Sequence, residues 1–428
     1  MTGGKGMGFG FWTLALLVVA NMVGAGVFTT SGFTLASLGH PGLVLLAWLV
    51  AGGVAVCGAL SYGRLIERTP VSGGEYSFLA DSGFPFAAFI AGWVSLLAGF
   101  SGAIAFAALA LENHLPLPLP EKVTASLAII IGATLHGRKR TLGAATQNAT
   151  VLLKLTLLVA FVMAGFLQQE TNDWQGVSTA RHRPDDILPA FAQALVWISL
   201  SYSGFNAAVY VAGETTSPST VRRALLVGTL TVTLLYLLLN GLFVLLPPSA
   251  IVSGQADVAA LAAGWLGGAN FEWFVRVVIS LALLTSVLGM MMAGPRVYGK
   301  MAEDGYLPKI FILDSDRPGP PVLLQMSLAL LLVFAGDLRH LLGYLGLTLS
   351  LCAAVAVLTL FKDGRSPRVR GWQAIPPVLF VTATLAAASL MIWREPAQAT
   401  GTAITLIVGA IGFGIIRKPR APSPPSTE

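Results

Sequence analysis

Charge is what this chain has least of. Of its 428 residues only 11% are Asp, Glu, Lys or Arg, against 55% hydrophobic, and mean hydropathy is +0.76. A water-soluble core cannot hide that much apolar surface, so the scarcity excludes a soluble globular protein and leaves a polytopic membrane protein. Cysteine is nearly absent too. Cys57 and Cys352 are the only two, and both fall in apolar runs, which argues against an internal disulfide and against a disulfide-linked subunit on the outside. The five histidines stand at loops or span ends, with no His, Cys or acidic partner at metal-ligand spacing. No metal and no other cofactor is expected. A phosphate-binding G-x-x-x-x-G-K-[ST] loop, a nucleophile elbow and a nucleotide-sized soluble domain are all missing, which argues against an ATP-driven pump and against an enzyme.

What is present is a succession of apolar runs. Twelve candidate spans are predicted, at about 11–36, 42–65, 84–113, 121–136, 148–168, 187–212, 222–246, 271–294, 321–336, 340–361, 373–393 and 400–416. The first continues past signal-peptide length and is expected to stay in the mature chain. Basic residues set the orientation. With the amino terminus inside, the cytoplasmic loops collect most of them, from Lys5, Arg64 and Arg68 to Arg417, Lys418 and Arg420, whereas the other side holds Lys122, Arg181, Arg183, Arg339 and Arg394. Both termini are therefore expected in the cytoplasm. The net charge of +6 follows from this topology; no aromatic-basic interleaving accompanies it, and nucleic acid is not an expected partner. The proline- and serine-rich tail at 417–428 is predicted to be disordered.

Two spans are interrupted. NMVGAGVF in the first carries Gly24 and Gly26, and SYSGFNAAV in the sixth carries Ser203, Gly204 and Asn206. A broken helix in a bilayer is tolerated where it lines a cavity or is buried in protein. Breaks at corresponding positions of two halves point to a midplane site, where free amides hold an anionic group and free carbonyls a cation. The plainer reading of each glycine alone is close helix packing. A third feature is Lys154, inside TVLLKLTLLVAFVMAGF. An intramembrane lysine marks a functional site by default, and the alternative is that its stem snorkels the ammonium to the headgroups.

These residues carry a family resemblance. VGAGVF in the first span, PVSGGEYSFL at 70–79, the fifth-span lysine, YSGFN followed by AGE at 212–214, and GKMAEDGYLPKIF after the eighth span together resemble an amino acid-polyamine-organocation (APC) superfamily permease of the LeuT-type fold. Within it the chain is most similar to the L-amino acid transporter (LAT) group, in particular its bacterial, subunit-free members. The resemblance implies an all-α membrane protein of twelve transmembrane helices with a five-plus-five inverted repeat and unwound helices 1 and 6. The cytoplasmic amino terminus would cover 1–10, the first repeat 11–168, the second 187–361, and the two remaining spans 373–416.

Carried over position by position, the resemblance puts a substrate carboxylate on the amides of Gly24, Ala25 and Gly26 and the ammonium on the carbonyls of Met22, Leu200 and Ser203. Asn206 would be a polar partner beside the break, or simply a helix-to-helix hydrogen bond. Leucine at 200 stands where the family often has an aromatic gate, with Tyr202, Phe205 or Trp197 as substitutes. In sodium-independent relatives the fifth-span lysine takes the place of sodium, so Lys154 reads either as a fixed charge in an exchanger or as a titrating group in a proton symporter.

Selectivity follows partly from an absence. Glu67, Glu112, Glu214, Glu272 and Asp337 fall near span ends, leaving no midplane acid for a cationic substrate. Ser95, Ser101 and Ser286 are candidates to face the substrate side chain, or to bond their own helix carbonyls. PVSGGEY reads as a structural turn with Glu75 capping the next span; Glu214 as a cytoplasmic anchor pairing with Arg222 or Arg223; MAEDGYLPKIF as a short amphipathic helix stopped at Gly305. The expected function is sodium-independent exchange of small neutral L-amino acids across the cell membrane. Proton-coupled symport of broader specificity and an amino acid sensor without turnover are the alternatives.

Overall fold

A computed structural model describes residues 10–71, 73–138, 144–168, 186–215, 217–312, 319–362 and 369–416. Lys5, the loop with Arg181 and Arg183, the tail at 417–428 and the side chain of Glu214 lie outside the described residues. The described chain is helical throughout. The first apolar run forms α1 (Phe11–Met22) and α2 (Ala25–Leu38), bent by 43° at Val23 and Gly24. A left-handed Gly39 ends α2, and Pro41 with the His40 side chain on the Gly42 amide starts α3 (Pro41–Arg68). Its 28 residues reach about 42 Å, enough to cross a hydrocarbon core of about 30 Å at a tilt.

A short α4 (Gly74–Asp81) precedes a continuous span made of α5 (Pro85–Val94), a π-helical stretch at Ser95–Gly102 and α6 (Ala103–His114). Then come α7 (Val123–Arg138), α8 (Ala144–Gln168) and α9 (Ile187–Tyr202), which unwinds at Ser203 and resumes as a 3-10 helix over Ala207–Glu214. The second half continues with α10 (Pro218–Leu245), the one-turn α11 (Ser249–Val252), α12 (Val258–Glu303, kinked at the positive-φ Gly268), α13 (Gly319–Ala335), α14 (Leu338–Leu358), α15 (Ile375–Arg394) and α16 (Thr400–Ile415).

Helix α9 is the hub, packed against α2, α3, α14 and α15, while α10 runs along both α1 and α3. Trp48, Trp197, Tyr62 and Tyr236 are fully buried between these helices. Large apolar side chains such as Leu152, Leu234, Trp393 and Ile415 point outward, the arrangement of a surface solvated by lipid. Among the described residues eight helices are long and apolar enough to cross a membrane, and the bent α1–α2 pair makes a ninth. Shorter apolar helices at Val123–Leu135, Lys154–Gly165 and Gly319–Ala335 stand at the expected fourth, fifth and ninth spans. The chain is a multi-pass membrane protein.

Polar contacts define the two ends of the bundle. At the basic end Arg222 pairs with Glu67 at 2.7 Å, Arg68 donates to the Thr359 and Leu360 carbonyls, and Lys362 donates to the Ser82 carbonyl at 2.6 Å. At the opposite end Arg276 joins Asp257 and Glu272 at 2.6 and 2.9 Å, and Glu112 accepts the amides of Lys122 and Ala125, capping α7. There the loop after α11 rests on α2. Gly254 donates to the Gly32 carbonyl at 2.8 Å, and a Cβ on Gly32 would fall 1.9 Å from the Gln255 oxygen.

Two expectations need correction. The eighth span does not end near 294 but continues through Pro295 to Glu303, so MAE belongs to α12 and only Lys309–Phe311 forms a separate turn. Gly305 does stop the helix, in the left-handed region at φ 84. Arg222 pairs with Glu67 on α3, and Gly63, which has no side chain to obstruct the Arg222 stem, lets the two helices approach; the expected pairing of Glu214 with Arg222 or Arg223 lies outside the described residues.

Candidate functional site

The two breaks meet in the middle of the bundle. At the first, the Gly24 amide turns back onto the Met22 carbonyl at 2.8 Å, and α2 restarts at Ala25. The leading amides of α2, those of Ala25 and Gly26 among them, have no carbonyl four residues back within their own helix. At the second, Gly204 adopts φ 98, and a Cβ there would lie 2.9 Å from the Asn21 carbonyl oxygen, so this position takes glycine both for conformation and for closeness to α1. Gly26 is pressed against α9 in the same way, 2.3 Å from the Ser201 hydroxyl to a would-be Cβ. Close packing and interruption thus coexist at Gly26. Gly24 differs, for the nearest atom to its would-be Cβ is the Met22 oxygen at 3.9 Å.

Tyr236 on α10 joins the breaks. Its hydroxyl reaches the carbonyl oxygens of Met22 at 2.5 Å and Ser201 at 3.0 Å. Behind it Trp48 donates to the Ser31 hydroxyl at 2.8 Å, Ser31 bonds Asn240, and Asn240 donates to the Tyr236 carbonyl, a buried polar chain across α2, α3 and α10. Lys154 is 6% exposed and donates to the carbonyl of Val23. It does not snorkel. Its ammonium meets an oxygen that the end of α1 has freed, a favourable charge at a helix carboxyl end.

The remaining candidates divide. The Leu200 carbonyl takes the Ser203 amide at 3.1 Å and hydroxyl at 2.6 Å, so it and Met22 already hold internal donors. Tyr202 is packed against Trp48 and Tyr236 with its hydroxyl on the Trp48 carbonyl, Phe205 against Tyr62 and Phe380, and Trp197 donates to Gln398 beneath Arg339. These aromatic side chains are committed to helix packing in this conformation. Ser95 and Ser286 bond carbonyls of their own helices, whereas Ser101, in the π-helical stretch, and Tyr298 hold buried hydroxyls close to one another.

Asn206 donates to Glu75 at 2.6 Å. Glu75 is therefore not a helix cap at the surface but a buried carboxylate, 7% exposed, the one acidic side chain buried among the described residues, and it was not among the span-end acids weighed from sequence. Sequence reading missed Tyr236 as well. A lone tyrosine one turn before Asn240 in a leucine-rich run was its only signal, and the glycine pair before Glu75 was the other.

A lipid-solvated helical bundle whose first and sixth spans break beside each other, with carbonyls and amides facing inward, defines a secondary-transporter class of membrane protein. The family model for amino acid permeases matches residues 9–416, and the chain belongs to that family. It is 26% identical to the human cystine/glutamate transporter over 409 residues, covering 91% of this chain and 81% of that one. It is 24% identical to the human large neutral amino acids transporter small subunit 2, covering 89% and 75%, and 23% identical to the rabbit b(0,+)-type amino acid transporter 1, covering 80% and 73%. In three dimensions it is similar to Mhp1, a nucleobase-cation-symport-1 family transporter in a closed conformation with bromovinylhydantoin bound. That likeness has a TM-score of 0.58 at 15% identity and covers 94% of this chain and 96% of Mhp1, a shared fold.

Proposed function

We propose that this permease is a sodium-independent exchanger of small neutral L-amino acids, working by alternating access in the plasma membrane with both termini cytoplasmic. Twelve spans would be arranged as two inverted repeats, 11–168 and 187–361, followed by 373–416. The observation that carries the reading is the Lys154 ammonium on the Val23 carbonyl. A positive charge at the break would supply what a bound sodium ion would otherwise supply. Two further points support it. The side chains of the breaks themselves, from Met22 to Gly26 and Leu200 to Asn206, are uncharged, and the two charged groups that reach them, Lys154 and Glu75, are of opposite sign, which suits a neutral substrate. Backbone groups at Gly24, Ala25, Gly26, Met22, Leu200 and Ser203 suit the carboxylate and ammonium that every α-amino acid carries.

On substrate entry the Ala25 and Gly26 amides would take the carboxylate, while the ammonium would replace the donors now on the Met22 and Leu200 carbonyls. The relatives' named substrates include cystine, glutamate and large neutral amino acids; the small-substrate reading rests on how closely α2, α9 and α10 meet here. With Cys57 and Cys352 both in helices, no disulfide-linked subunit is part of this proposal.

The test is uptake of labelled L-alanine into sodium-free proteoliposomes, with and without internal alanine or serine and with and without an inward proton gradient. Uptake into preloaded vesicles only is the expected result. Gradient-driven uptake into empty vesicles would replace exchange with proton symport, a reading that rests on Lys154 bonding a carbonyl and no carboxylate among the described residues. Binding of alanine without uptake under any condition would favour a sensor.

A further inference from the structure

We infer that Glu75 is the positioning residue for the far half of the broken sixth span, a carboxylate latch that closes the basic end of the bundle. Three donors converge on it. Tyr62 on α3 donates to Oε1 at 2.6 Å, Asn206 at the break donates to the same oxygen at 2.6 Å, and Tyr210 on the 3-10 segment donates to Oε2 at 3.0 Å. An ionised carboxylate is an acceptor-only group with about four lone-pair sites, which suits three inward-pointing donors. Among the described residues no Lys, Arg or His pairs with it within ion-pair distance, so these hydrogen bonds are what compensate its burial.

The backbone is built to deliver this group. Gly73 and Gly74 take φ 125 and 62, and the Tyr210 ring lies 2.5 Å from where a Gly74 Cβ would be. The glycine pair swings the first turn of α4 under the ring. The next residue points the other way. Tyr76 donates to Asp304 at the end of α12 at 2.6 Å, and the far end of α4 is held through the Ser82 carbonyl by Lys362 beyond α14.

Helix α4 is thus anchored to α12 and to the end of α14 by one set of bonds and to α3 and the sixth span by Glu75. Alternating access moves one group of helices against the other. Separating the sixth span from α12 at this end must break either set. The Glu75 set is the one that holds Asn206, two residues past Gly204, where the span is already unwound.

This inference goes beyond the substrate reading and is tested without any substrate. Cys352 on α14 lies within electrostatic range of Glu75 and packs against the apolar cluster that contains Tyr76 and Leu79, so it is a native reporter behind the latch. With Cys57→Ser as background, the rate of Cys352 modification by a membrane-impermeant methanethiosulfonate is measured in inside-out and right-side-out vesicles. Glu75→Gln turns one acceptor oxygen into a donor, and Tyr210→Phe removes one donor while keeping its ring. Both are expected to speed modification by about tenfold, the equivalent of one lost charge-assisted bond, from the basic end only. Glu75→Asp restores part of the protection. If Glu75→Gln does not fold, Tyr210→Phe decides alone. Unchanged rates in the folded variants, or equal acceleration from both faces, which is general loosening, overturn the latch. Failure of alanine exchange would leave this readout intact, so the two proposals fail separately.

Discussion

The Tyr236 hydroxyl lies 2.5 Å from the Met22 carbonyl oxygen and 3.0 Å from that of Ser201, so one phenol spans both helix breaks. Each of those carbonyls sits where a helix is ending, and the phenol supplies donor capacity that the backbone has lost.

Tyr236→Phe removes the hydroxyl and keeps the ring against Trp48 and Tyr202. A buried acceptor left without a donor costs about 1–3 kcal/mol, so the variant is expected to melt several degrees lower and to lose most exchange. Thermal unfolding in detergent, with and without alanine, checks this; wild-type exchange by the phenylalanine variant would reduce the hydroxyl to a bystander.

Lys154→Ala takes the ammonium from the Val23 carbonyl. Transport is expected to fall at least tenfold while alanine affinity changes less, because the substrate's proposed contacts are backbone groups on α2 and the sixth span. Equilibrium binding and exchange measured on one preparation separate the two effects. Full exchange with normal pH dependence in the alanine variant would remove the lysine from the mechanism.

The glycines of the first break are expected to behave oppositely. Gly26→Val drives a side chain into Ser201 and should abolish binding. Gly24→Ala has room and an extended backbone, so its fold should hold or gain about 0.5 kcal/mol. Loss of binding in Gly24→Ala despite that stability would mean that substrate approaches the bare Cα; binding retained in both variants would move the site elsewhere.

Asp337 begins α14, accepting the His340 amide at 2.8 Å and the His340 ring at 2.9 Å. Burial works to raise its carboxyl, but the bonds from the His340 amide and ring, helped by the charge of that ring, hold it below the usual carboxylate value. A group with a depressed folded pKa stabilises the fold above its unfolded value and loses that contribution as pH falls through the folded one. Amide exchange in the first turn of α14 is therefore expected to quicken in acid. Asp337→Asn, which keeps a capping oxygen, should flatten that response.

Much of this architecture was legible because lipid permits few patterns. Long apolar runs gave most of the helices, and two closely spaced glycines in one span matched by Ser203, Gly204 and Asn206 in another pointed to paired breaks where either motif alone read as close packing. Lys154 was visible as a charge in the wrong solvent. What it bonds was not, since the Val23 carbonyl is available only because α1 stops one residue earlier. Glu75 was misread for a related reason. Sequence places it in a glycine-rich loop, and only the approach of α3 and the sixth span turns that loop into an interior. Tyr236 looked like any aromatic core residue, because nothing local distinguishes a phenol aimed at two carbonyls from one packed against leucines.

The contact between Gly32 and the loop after α11 makes the second half of the first span a lever with a load. With no side chain between them, α2 and the Gly254–Gln255 backbone share one surface, so α2 cannot tilt outward unless that loop is carried with it or peeled away. In the proposed cycle, exit toward the face opposite the basic end would begin with a joint lift of loop and helix, and the smallest side chain added at position 32 would act as a wedge that forces them apart.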